Sequence, residues 1–134
     1  MREINRAILD DLYKQARLSD RHRSHLLLHS GHNDKVQRLL IAFLRNSYVE
    51  PHFHELDHQW EMFVVLEGQV KICLYAKNGE IERSFLAGGG TDTSIVEFHP
   101  GDIHSVECIS DEALMLEIKE GPFDPTYAKS FPQW

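Results

Sequence analysis

The chain has little sulfur to work with. Its 134 residues include two cysteines, Cys73 and Cys108. Neither sits in a C-x-x-C pair, and a disulfide framework needs more than this. Both lie in apolar, strand-like runs, where a buried free thiol is the ordinary state. A reducing cytoplasm is therefore the expected location. Long apolar runs are missing too. None approaches the roughly 18 residues of a membrane span, and the N-terminus has no apolar signal core. The glycines at 88–90 lack the surrounding G-x-x-x-x-G-K-[ST] pattern of a phosphate loop. There is no internal repeat, no low-complexity run and no helix-turn-helix pattern for reading DNA.

What is present suits one domain with one core. Hydrophobic residues make up 42% of the chain, and the formal charge is −7. That charge is uneven. Residues 1–23 carry six Lys/Arg against four acids, so the rest stands at −9. An acidic body argues against phosphate-backbone binding as the main task. The basic N-terminal segment reads as a solvated helix face rather than a nucleic-acid or subunit contact. Neither nucleic acid nor membrane is an expected partner.

Along the chain, Ile4, Ile8, Leu12 and Ala16 recur at four-residue spacing. This predicts an amphipathic helix over 3–17, whose stripe covers either the main body or a partner subunit. Residues 24–29 read as extended. Residues 35–44 fit a helix and a buried strand equally well. From 48 onward the pattern is short strands at 48–54, 59–66, 69–76, 81–86, 94–98, 103–109 and 113–119. Asn78-Gly79 is the strongest hairpin signal. Even spacing of short strands predicts an all-β sandwich or barrel. The expected organisation is an N-terminal helical segment at 1–23, a barrel at 24–120 and an irregular C-terminal tail at 121–134. Phe123, Phe131 and Trp134 are expected to pack as a lid or a subunit contact.

The densest chemical signal is Pro51-His52-Phe53-His54, followed by Glu61 and by Pro100-Gly101-Asp102-Ile103-His104. On a strand, residues i and i+2 face one side, so His52 and His54 can aim at one point. Glu61 and His104 must arrive from other strands, which a curved sheet or barrel permits. Imidazole nitrogens and a carboxylate oxygen suit a divalent first-row transition metal, Fe, Mn, Ni or Zn. Four protein ligands on an octahedral ion leave two positions for water or substrate.

These residues resemble the two signature motifs of the cupin superfamily. The first is H-x-H, a spacer, E, six residues and G, matched by His52, His54, Glu61 and Gly68. The second is matched by Pro100, Gly101 and His104. The resemblance implies a double-stranded β-helix, or jelly-roll, with a metal inside bound by His52, His54, Glu61 and His104. The spacer from His54 to Glu61 is longer than usual. His58 is the alternative ligand, or an acid/base group above the metal. Glu61 is preferred for its distance to Gly68. A closer resemblance covers most of the chain. Arg23 to His29, Val36-Gln37-Arg38, Ser47-Tyr48-Val49, Val96-Glu97 and Glu117 to Pro125 are similar to the WbuC family of cupin-fold metalloproteins. That family occurs in bacteria, in part near genes for O-antigen polysaccharide assembly. It implies a loose link to carbohydrate synthesis and supplies no reaction.

Arg38, Tyr48 and Lys119 are polar groups in apolar strands, and burial without partners costs about 2–7 kcal/mol or more. They are expected either to pair with acids such as Glu117 or to form an anion-holding wall, with Arg38 and Lys119 on substrate. His58 and Tyr48 are the candidate proton carriers. His25 and His29 read as buried or capping residues, and Cys108 as a small apolar filler. The expected function is metal-dependent isomerisation, epimerisation or oxygenation of a small polar, sugar-related molecule. The alternatives are a non-catalytic module for a small ligand and a homodimeric scaffold.

Overall fold

The computed structural model describes residues 1–134. One helix precedes nine strands: α1 (Arg6–Arg17), β1 (Arg23–Leu27), β2 (Val36–Leu44), β3 (Tyr48–His52), β4 (Glu61–Glu67), β5 (Gln69–Tyr75), β6 (Ile81–Gly88), β7 (Ile95–Phe98), β8 (Ile103–Cys108) and β9 (Glu112–Glu120). They form two antiparallel sheets, ordered β1-β2-β9-β4-β7 and β3-β8-β5-β6. The all-β jelly-roll expected from the sequence is the observed fold. The ambiguous stretch at 35–44 is a strand. Val36–Leu44 lies between β1 and β9, and its nine residues pair along β9 from Val36↔Glu120 to Leu44↔Glu112. Tertiary pairing decides a segment whose local pattern fits two periods.

Alternation sets the interior. Leu39, Ile41 and Phe43 of β2 meet Phe63, Val65, Val70, Ile72, Val106 and Met115 in the main core. The opposite face of the larger sheet is covered by α1. Leu12, Tyr13 and Ala16 pack on Leu40, Ala42 and Leu114. The apolar stripe of the helix is thus spent on the barrel, not on a partner subunit. Asn5 caps the helix by accepting from Ile8 N at 3.1 Å, and Lys14 and Arg17 lie in its last turn, where the dipole favours cations. Arg6 and Tyr13 both reach Glu67 at the end of β4.

Two backbone features position the later site. Gly68 alone joins β4 to β5, with φ of +70°. A Cβ there would collide with Glu112 O, so only glycine carries the chain so directly from one sheet to the other. In β3, Val49 pairs with Val106 and His52 with His104. Three steps on one strand therefore match two on the other, as in a β-bulge. Both cysteines are free and buried, and Cys108 is part of the main core. No helix is long and apolar enough to cross a membrane.

Replacing Leu12 by alanine is expected to cost about 2–5 kcal/mol, read from urea unfolding. An unchanged midpoint would mean that α1 contributes nothing to the barrel.

Candidate metal centre

His52, His54, Glu61 and His104 are all buried, and one ligand atom from each lies within 4.8 Å of the others. They come from both sheets. His52 and His104 are cross-strand partners in the smaller sheet. His54 follows two residues after His52. Glu61 opens β4 in the larger sheet, flanked by Lys119 of β9 and Phe98 of β7. The turn before β8 is tied down from two sides. His99 N donates to Asp102 Oδ2 at 2.8 Å, and Gly101 N donates to His54 O at 2.7 Å. His104, fully buried, stacks on Phe98 with centroids 3.8 Å apart and planes 10° apart.

The ring orientations share one cause. Each imidazole gives its Nδ1 to a backbone carbonyl: His52 to Glu50 O at 2.9 Å, His54 to Ala128 O at 2.8 Å and His104 to Asp102 O at 2.9 Å. Nδ1–H donation to these carbonyls orients each ring and turns each Nε2 toward the cluster. His104 Nε2 lies 2.7 Å from Glu61 Oε1. His54 Nε2 lies 3.1 Å from Glu61 Oε2 but is sealed from solvent and has no hydrogen-bond partner.

Burial alone would push the Glu61 carboxyl up. The hydrogen bond from His104, with His54 beside it, outweighs burial and holds it well below the usual range. Burial also holds the His52 imidazole down to about 3, with His104 adding to the effect, so its ring is neutral and able to ligate. An orphaned buried nitrogen, three inward Nε2 atoms and an ionised carboxylate fit a divalent first-row ion. These residues are able to hold a metal.

The cluster faces a cavity of about 520 Å³. Glu117 and Lys119 of β9 line it, with Lys119 Nζ 3.6 Å from Glu117 Oε2. Burial pushes Glu117 up to about 7, helped by the Glu61 charge and opposed by Lys119. Three sequence-based assignments are corrected. Arg38 lies on the outward face of β2, exposed and bonded to Leu28 O at 3.3 Å; Gln37 has the inward place. Tyr48, 48% exposed, precedes the bulge and does not line the cavity. His58 sits in the loop between β3 and β4, outside the cluster and the cavity wall.

Other cavity groups escaped the sequence reading. His25 and His29, read as buried or capping, both line the cavity; His25 does so because alternate residues of β1, Arg23, His25 and Leu27, share the cavity side of the sheet, where His25 and Leu27 are exposed. The tail supplies Ala128 O. It is stitched beside the ligands by Phe53 N to Ser130 O and Ser130 N to Phe53 O, each 2.9 Å. A backbone carbonyl carries no side-chain signature, so nothing in the sequence marks Ala128. Residues 24–29 read as extended, and alternation along that strand is the signal that finds His25.

Ser130→Pro removes one of those two stitches and loosens the carbonyl that orients His54. Metal affinity, measured by competition with a chelator, is expected to fall about tenfold, while Glu82→Ala, exposed on β6, leaves it unchanged.

Solved structures share this fold. The capsular polysaccharide assembling protein CapF from Staphylococcus aureus superposes with a TM-score of 0.69 at 22% identity, over 87% of this chain and 33% of its own. Oxalate oxidase in complex with glycolate gives 0.64 at 16% identity, over 84% and 56%. A conserved protein of unknown function from Streptococcus pyogenes gives 0.58 at 10% identity, over 79% and 80%. This chain thus spans about a third of CapF and about half of oxalate oxidase. The shared architecture is the cupin barrel. No curated protein matches the sequence. Residues 4–87 match the family model described as a domain of unknown function (DUF6016), and the chain belongs to that family.

Proposed function

We propose that the chain is a metal-dependent enzyme that isomerises, epimerises or oxygenates a small polar, sugar-related molecule. The observation that carries this reading is the convergence of His52, His54, Glu61 and His104 within 4.8 Å, with His52, His54 and Glu61 on the wall of an open cavity. Four protein ligands leave coordination positions free, which separates a reactive centre from a purely structural one. A volume of about 520 Å³ lies within the usual range for small-ligand sites, roughly 300–1,000 Å³. When bound, a divalent ion supplies Lewis acidity toward a substrate carbonyl or hydroxyl oxygen.

The chain's own residues bind, orient and move protons. Lys119 donates to a substrate oxygen from the wall next to Glu61. Glu117 is the cavity carboxyl outside the cluster, and it takes the proton-carrying role that His58 and Tyr48 are too remote to fill. Phe43, Phe63 and Met115 on the wall keep bulk water from the reacting atoms. The motif resemblance to the WbuC family supports a place in bacterial polysaccharide synthesis. So does the barrel shared with a capsular polysaccharide assembling protein.

Protein purified without chelator is expected to carry about one divalent ion per chain by elemental analysis, and His104→Ala to carry about tenfold less. Turnover on sugar nucleotides or diketones that survives His104→Ala would remove the proposed centre. Glu117→Gln is expected to keep its metal while turnover drops about a hundredfold. A native ligand held tightly without turnover would make the chain a binding module instead.

A further inference from the structure

The lining of the cavity gathers positive charge on an acidic protein. Arg21, Arg23, Lys119 and Lys129 are part of it, although the whole chain is at −7. Lys119 is paired with Glu117. Arg21, Arg23 and Lys129 make no ion pair. The acids of the cavity wall are Glu61 and Glu117. One is engaged by the histidines and the other by Lys119.

These cations are held in place by the backbone. The Arg21 carbonyl accepts from Ser47 Oγ at 2.9 Å. Arg23 Nη1 donates to Tyr48 O at 3.4 Å. Lys129 lies between Ala128 and Ser130, both bonded to the segment that carries His52 and His54. His25 stands among them. Its imidazole is held down to about 4, first by desolvation against the cavity wall and then by Arg23, Arg21, Lys129 and Lys119 in that order. Lys129 is likewise lowered, by burial and then by Arg23. Arg21 and Arg23 lie past the end of α1 and Lys129 lies in the C-terminal tail, so the cations of the wall come from two separate parts of the chain.

We propose that Arg21, Arg23 and Lys129 form an anion-binding rim, and that the ligand of the cavity carries a carboxylate or phosphate group that docks there. Like charges fixed round a recess repel one another, and a small anion relieves that repulsion while low-dielectric walls focus the field on it. Arginine forks match both oxyanion types. The proposal rests on reading the cavity as the substrate's site, and assigns the class of substrate that enters it.

The test is calorimetric titration with D-glucuronate, D-glucose 6-phosphate and neutral D-glucose, on protein as purified and after chelator stripping. At least one anion is expected to bind tenfold or more tightly than glucose, and to weaken as salt is raised. Preference between the two anions separates the carboxylate source from the phosphate source. Arg23→Gln/Lys129→Gln is expected to lose at least tenfold in anion affinity, with metal content and melting temperature unchanged. Anions that bind no better than glucose, or a double variant that keeps the parent affinity, would overturn the rim. Stripped protein that still takes the anion supports the rim. Protein that never contains metal refutes only the catalytic reading.

Discussion

Everything at the centre of this molecule depends on one carboxylate meeting imidazoles from the opposite sheet. Glu61 is 2% exposed, and an ionised carboxylate at that depth is tolerated only when it is paired. Its partners, His54 and His104, come from the other sheet and the turn beyond it. Barrel closure and charge compensation are therefore one event. If the sheets separated, the carboxylate would lose its partners and the imidazoles their focus.

A second layer makes that meeting specific. Three separate backbone carbonyls hold the three Nδ1 atoms, so ring orientation is inherited from the path of the chain. Two of these carbonyls lie two residues before their own histidines and are local. The third belongs to Ala128, 74 residues from His54. The C-terminal segment, which adds only the short 3-10 turn Pro125–Tyr127, is thus a wall of the cavity and a support of the centre. It also carries Lys129 and Phe131 to the cavity. Local and distant parts of the chain meet at one ring.

The barrel and its four converging residues were legible because both rest on period-two alternation and on turn residues. His52-x-His54, Glu61 before Gly68, and His104 after Pro100-Gly101 each carry that signature. Less was legible where side-chain direction depends on an unassigned strand. With 35–44 open between helix and strand, Arg38 had no defined face; as a strand it is outward and Gln37 inward. Tyr48 shares an apolar segment with the ligands but is separated from them by the irregular step in β3. His58 has the right chemistry on a loop that does not turn it inward. The basic N-terminal segment read as one solvated face, yet Arg21 and Arg23 lie past the end of α1 and enter the cavity wall. Net charge along a segment does not say which way its last residues turn.

The extra residue in β3 has a wider meaning. Val49 and His52 both face inward although an odd number of steps separates them. A regular strand would send one of them to the opposite side. In a chain one residue shorter between those positions, the string H-x-H would survive in print while either the barrel lining or the imidazoles faced out. Pattern matching on the two histidines alone would accept such a chain. The phase of the pleat, carried by Glu50 and Pro51, decides whether the same letters describe an interior or a surface.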